Sequence, residues 1–197
     1  MILVSMFAFI VARSVVEKII EQSGRNKRDN GFEQLKADAV GQHPDAPVSE
    51  AIRQESVESA TKKLNVETDA QKRAQSAAAM FWGFLFVNTR ERAEFCREQG
   101  VDIQPFVSAF EQAHANQIAK AKSILARTAT DEEKLYTEIE PLLRKAVVQD
   151  MNDIATAKKI SLKSACQFIS NNALALAGDM HISKVQPTVY NALMSGN

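Results

Sequence analysis

The stretch AAAMFWGFLFV at residues 77–87 decides the fold of this 197-residue chain. It is too short to cross a bilayer, which takes about 20 apolar residues. It is also too uniformly apolar for a helix that has one solvated face. We therefore predict that a helix from Asp69 to about Asn88 forms the buried centre of a helical core. A surface that contacts a membrane interface or a partner is the alternative for this helix.

The rest of the body repeats apolar residues at helical spacing. Steps of three and four residues, which place side chains on one face of a helix, occur over residues 103–125, 135–147 and 162–176. Seven glycines and five prolines are few for a turn-rich β fold. The sequence predicts an all-α fold, an irregular bundle of about five to seven helices preceded by an N-terminal apolar helix.

Three residues predict where helices begin, end or bend. Thr89 is a suitable N-cap for a helix that runs to Gln99, and Gly100 suits the left-handed position after its end. Pro141 interrupts the stripe at 135–147, so we expect a kink or a new helix there.

Charges of alternating sign follow Thr89. Opposite charges three or four residues apart are typical of a solvated helix face, and we predict one here. Phosphate binding by the arginines is the alternative. The cluster consists of Arg90, Glu91, Arg92, Glu94, Arg97 and Glu98.

The N-terminus is apolar and uncharged at residues 2–12, ILVSMFAFIVA. Counted through Ile20, the segment reaches the ~20 residues of a spanning helix. We predict a membrane anchor or signal-like helix at residues 1–22, with a cleaved secretory signal or a buried amphipathic helix as alternatives. The polar segment 23–47 predicts a linker, which leaves residues 48–197 as the helical domain.

Basic residues next to the apolar segment bear on its orientation. The positive-inside rule places the more basic flank in the cytoplasm, and here that flank follows the segment. We therefore expect a membrane-anchored protein whose body is slightly favoured to be cytoplasmic. A basic segment upstream of Met1 would reverse the predicted orientation and make the body periplasmic. The flanking basic residues are Arg13, Lys18, Arg25, Lys27 and Arg28.

Charge balance and motifs argue against several functions. The chain has 24 lysines plus arginines against 24 aspartates plus glutamates, whereas nucleic-acid binders usually carry a basic patch. No phosphate loop, dinucleotide-binding fingerprint, zinc-protease helix or nucleophile elbow occurs in the sequence. We therefore predict no catalytic residue, no cofactor, no metal ligand and no nucleic-acid partner.

Cys96 and Cys166 are the two cysteines of the chain. They are too few for a disulfide scaffold or a four-cysteine zinc site. One interpretation is a pair of small buried residues. The other is a single Cys96–Cys166 disulfide, which we expect only if the body is exported to an oxidising compartment.

Glu111 and His114 form an E-x-x-H pair on a predicted helix, the spacing that di-iron bundles use. Such a site needs a second pair, and neither His43 nor His181 has a glutamate three residues before it. A hydrogen-bonded core histidine is therefore the favoured interpretation of His114. The two residues remain weak polar site candidates.

These patterns favour a non-catalytic helical protein, tethered to a bacterial-type membrane through residues 1–22, that acts through protein–protein contacts. The second hypothesis is an exported helical domain with a Cys96–Cys166 disulfide that binds a partner or an apolar ligand between its helices. The third is an enzyme whose site has no recognised motif.

Overall fold

A computed structural model of the protein describes residues 25–128 and 131–196. Its helices are, in chain order, α1 (Arg25–Gln42), α2 (Val48–Val66), α3 (Ala70–Phe86), a π-helical turn (Val87–Glu91), α4 (Arg92–Glu98), α5 (Gln104–Ala113), α6 (Ala115–Leu125), α7 (Glu132–Lys158), α8 (Leu162–Asn171), α9 (Ala173–Asp179), α10 (Ile182–Val185) and α11 (Pro187–Ser195).

The predicted fold class is confirmed. The described part of the chain is 84% helical, has no strand and forms an irregular bundle. Within the same residues, no helix combines the length and the apolar character that crossing a membrane requires. The predicted anchor or signal-like helix at residues 1–22 lies outside the described residues.

Helix α3 is the buried centre of the bundle, as its apolar sequence predicts. Asp69 caps its start by accepting hydrogen bonds from the backbone N–H groups of Gln71 and Lys72 at 2.9 and 3.0 Å. Every residue from Met80 to Phe86 is buried, and the helix packs against α6, α7 and α11. Because each large apolar side chain contributes about 1.5–3 kcal/mol on burial, this segment holds the bundle together.

The predicted linker at residues 23–47 is mostly a packed helix. Helix α1 lies against α2 and α7; Phe32 is 4% exposed, Ala39 is fully buried and Leu35 packs beside them. The linker prediction rested on glycines, prolines and a low apolar content. The sequence also allows a short helix at residues 32–40, and three apolar residues spaced by three and four pack that part of α1 against the core.

Helix α7 has 27 residues and runs through Pro141 without a break, so the predicted new helix is wrong. Proline in a helix interior costs about 3 kcal/mol. Burial of the apolar stripe on both sides, including Ile139, Leu142 and Leu143, offsets that cost. The helix ends at Lys158, and the next residue, Lys159, has a φ of 52°, which places it in the left-handed region.

The bundle has more and shorter helices than about five to seven, because two predicted stripes are interrupted. His114 separates α5 from α6 and Asn172 separates α8 from α9, with φ near −110° in both. Each side chain donates to the carbonyl four residues earlier, of Phe110 or Phe168, at 2.8 Å. The same two carbonyls also accept the backbone N–H groups of His114 and Asn172, each at 3.1 Å. Gly100 follows α4 in the predicted left-handed conformation, with φ of 72°.

Candidate functional site

The two predicted polar site residues, Glu111 and His114, do not form a shared site. Glu111 is exposed, whereas His114 is fully buried in the core. The helix ends between them at Ala113. Their E-x-x-H spacing therefore does not present a pair of metal ligands on one face.

His114 is held as a neutral core residue. Its ring lies among those of Phe84 and Phe110, with centroids 5.5 and 4.3 Å away, and it stacks on His181 at 4.8 Å. Nδ1–H donates to the Phe110 carbonyl at 2.8 Å, and Nε2 accepts the Ile182 N–H at 3.0 Å. These two bonds fix the tautomer. Burial lowers the pKa of His114 to about 4.

We expect His114 to make stability depend on pH. Between its unfolded pKa of 6.5 and its folded pKa of about 4, only the unfolded chain takes up the proton, so stability falls as pH falls. At about 1.4 kcal/mol per pKa unit, the loss by about pH 4 is about 3 kcal/mol. Burial raises the pKa values of Asp150 and Glu91, and their titration opposes this trend. The measurement is therefore the difference between wild type and His114→Gln in urea unfolding.

That difference should shrink by about 3 kcal/mol from about pH 7 to about pH 4. A difference that does not change with pH would contradict a neutral, desolvated His114.

A π-helical turn at Val87–Glu91 carries the chain from α3 into α4 without a break. Thr89, predicted as an N-cap, instead donates its hydroxyl to the Leu85 carbonyl at 2.9 Å. The buried side chain of Asn88 donates to the Phe84 carbonyl, also at 2.9 Å. Turns of this kind occur often at functional sites and change the direction of the side chains that follow.

Arg92, directly after this turn, is fully buried and ion-paired. Its Nη1 lies 2.7 Å from Oδ2 of Asp150 on α7 and 3.3 Å from Sδ of Met151. Arg92 and Asp150 are both 0% exposed, so the predicted solvated face is wrong at this position. Burial raises the pKa of Asp150 to about 6, and the charge of Arg92 opposes that rise. The pair is thus a buried polar connection between α4 and α7.

Glu91, beside Arg92, is also buried and not on a solvated face. It is 2% exposed and accepts a hydrogen bond from the Tyr136 hydroxyl on α7. Burial raises the pKa of Glu91, while the hydrogen bond from Tyr136 acts to lower it. Burial and the same hydrogen bond raise the pKa of the Tyr136 hydroxyl. This contact is a second polar connection to α7.

The arginines predicted as an alternative phosphate site are all paired with carboxylates. Arg90 contacts Glu132 and Glu133 at 2.9 and 2.7 Å, and its guanidinium lies 4.7 and 4.6 Å from the ring centroids of Phe86 and Tyr136. Arg97, on the exposed side of α4, pairs with Glu94 of its own helix, as a solvated face requires.

The structure brings Cys96 and Cys166 together in a disulfide that joins α4 to α8. The Sγ atoms are 2.06 Å apart and the Cα atoms 5.5 Å apart, a separation usual for disulfides. Both residues are fully buried. Nearby, the Ser170 hydroxyl donates to the Asp102 carbonyl at 3.0 Å. The short helix α4 is therefore held to α7 by polar contacts and to α8 by a covalent bond.

Fold and contacts together define an all-α bundle whose centre combines an apolar helix, a buried ion pair and a disulfide. No protein-family model, no curated protein and no solved structure matches the chain.

Proposed function

We propose that the protein is a non-catalytic helical domain, exported across a membrane and held there by its N-terminal apolar segment, which acts through contacts with a protein partner. The observation that carries this proposal is the buried Cys96–Cys166 disulfide. Disulfides persist in oxidising compartments, whereas cytosolic thiols are kept reduced. A bridge in the core of the body therefore supports export.

The uncharged segment at residues 2–12 supports attachment to the membrane. The basic residues that follow it favour a cytoplasmic body, which conflicts with export. We give the disulfide more weight, because a basic segment upstream of Met1 would reverse the charge argument, whereas lasting disulfides are rare in the cytosol.

A binding function is favoured over catalysis by the way the polar core residues are engaged. His114 is neutral and bonded through both ring nitrogens. Glu91 accepts from Tyr136, and Arg92 pairs with Asp150. These side chains connect helices to one another, so we assign them to positioning the bundle.

Deletion of residues 1–24 tests the attachment, because it removes the apolar segment and leaves α1 complete from Arg25 onward. We expect the full chain to sediment with membranes after a high-salt wash, and the truncated chain to be soluble. Protease added to intact spheroplasts should digest the body of the full chain and spare the truncated form. A full chain that is soluble without detergent, or one that sediments but resists protease until the cells are lysed, would contradict the proposal.

A further inference from the structure

Three metal-ligating side chains converge where α1 passes into α2. They are His43, Glu55 and Glu58, and their ligand atoms all lie within 4.8 Å of one another. The closest charged contact, between His43 Nε2 and Glu58 Oε1, is 3.9 Å. That distance is too long for a hydrogen bond.

The backbone fixes where these side chains lie. His43 is the first residue after α1; its N–H donates to the Ala39 carbonyl at 2.9 Å, and its own carbonyl accepts the Ala46 N–H at 3.2 Å. Glu55 and Glu58 are three residues apart on α2, so they occupy one helix face. The imidazole therefore comes from one helix end and both carboxylates from the next helix.

None of the three ligand groups is satisfied by another residue in the described part of the chain. The His43 Nε2 atom is buried and has no hydrogen-bond partner. Glu55 has no ion pair there, and Glu58 has only His43. Glu50, on the same helix, is instead paired with Arg53. A buried, unpartnered ring nitrogen facing two carboxylates without a cation is an arrangement that a metal ion would complete.

We propose that His43, Glu55 and Glu58 bind one divalent first-row transition-metal ion, with Zn²⁺ as the probe. Imidazole nitrogen and carboxylate oxygen both bind Zn²⁺ at about 2.0–2.2 Å, and three protein ligands leave a position for water. The donor atoms have to close by roughly 1 Å to reach these distances. Glu58 has room to do so, because its side chain is 64% exposed. The ion would connect α1 to α2.

Calorimetric titration of the full-length protein with Zn²⁺ tests this site. The protein is prepared without a histidine tag and with the disulfide intact, so that neither a tag nor free thiols bind the metal. We expect one Zn²⁺ per chain, and a loss of affinity of at least about tenfold in each of His43→Gln, Glu55→Gln and Glu58→Gln. Glu111→Gln, an exposed carboxylate on α5, is the matched control and should bind like wild type.

Circular dichroism and thermal melting without metal establish that each variant is folded. If His43→Gln does not fold, the two glutamate variants, whose substitutions lie on a partly solvated face, still test the metal site. No binding by wild type, or unchanged affinity in either glutamate variant, would overturn the site. Competition by Ca²⁺ at equal concentration would overturn the assignment to transition metals, because Ca²⁺ prefers oxygen ligands.

Discussion

Arg92→Met is expected to lower the free energy of unfolding by about 3–5 kcal/mol, the usual cost of removing one partner of a buried ion pair. Arg92 and Asp150 are both 0% exposed, with Nη1 and Oδ2 2.7 Å apart. Without the guanidinium, the Asp150 carboxylate is left in the core with no compensating charge. Such a loss is a large part of a domain's total stability of about 5–15 kcal/mol.

Urea unfolding at neutral pH measures this effect, and two further variants interpret it. The double substitution Arg92→Met with Asp150→Leu should recover most of the loss, because no charge is then buried. Arg97→Met is the matched surface control: its side chain is 76% exposed beside Glu94, and we expect a change below about 1 kcal/mol. Equal losses in the single and double variants would show that packing, not the unpaired charge, determines the effect.

Replacing both cysteines by alanine is expected to destabilise the protein by about 2–5 kcal/mol, the usual cost of losing a native disulfide. Cys96 and Cys166 are separated by 70 residues. Closing a loop of that size removes about 4 kcal/mol of chain entropy from the unfolded state, according to the loop-entropy model. The bridge also joins α4, the seven-residue end of the helix that continues from α3 through the π-helical turn, to α8.

Urea unfolding of wild type with and without reductant provides the control. Reduced wild type should unfold at nearly the same urea concentration as the double alanine variant, and oxidised wild type at a clearly higher one. If oxidised and reduced wild type have equal stability, the bridge is not a structural element of the fold.

The fold class could be predicted because its signals are local. The apolar run that became α3 has no exposed face from Met80 to Phe86, and Gly100 has the left-handed φ that its place after a charged helix implied. The burial of α3 and the conformation of Gly100 depend on residues that are close together in sequence, where helical spacing and capping rules apply.

Features that depend on tertiary contacts could not be predicted from the sequence. Residues 23–47 predict a linker because of their glycines, prolines and low apolar content, whereas the burial of Phe32 and Ala39 depends on the helices that α1 packs against. The helices break at His114 and Asn172, whose side chains bond to the preceding turn, although the apolar pattern around these residues shows no interruption.

The candidate sites were harder to predict because their members are distant in sequence. Arg92 stands among charges of alternating sign, which indicates a solvated face, and its partner Asp150 is 58 residues away. With two cysteines the sequence allows a single disulfide, but it does not show that the two residues are adjacent in the fold. His43 was set aside because no glutamate precedes it by three residues, although Glu55 and Glu58 reach it across the α1–α2 turn.

The thiol state of Cys96 and Cys166 in the native compartment tests the central claim, an exported and disulfide-linked body, most directly. Cells are quenched in acid so that thiols cannot exchange, and the membrane fraction is alkylated before and after reduction. We expect no alkylated cysteine before reduction and two afterwards. Two alkylated cysteines before reduction, in protein recovered from the membrane fraction, would contradict the proposed export.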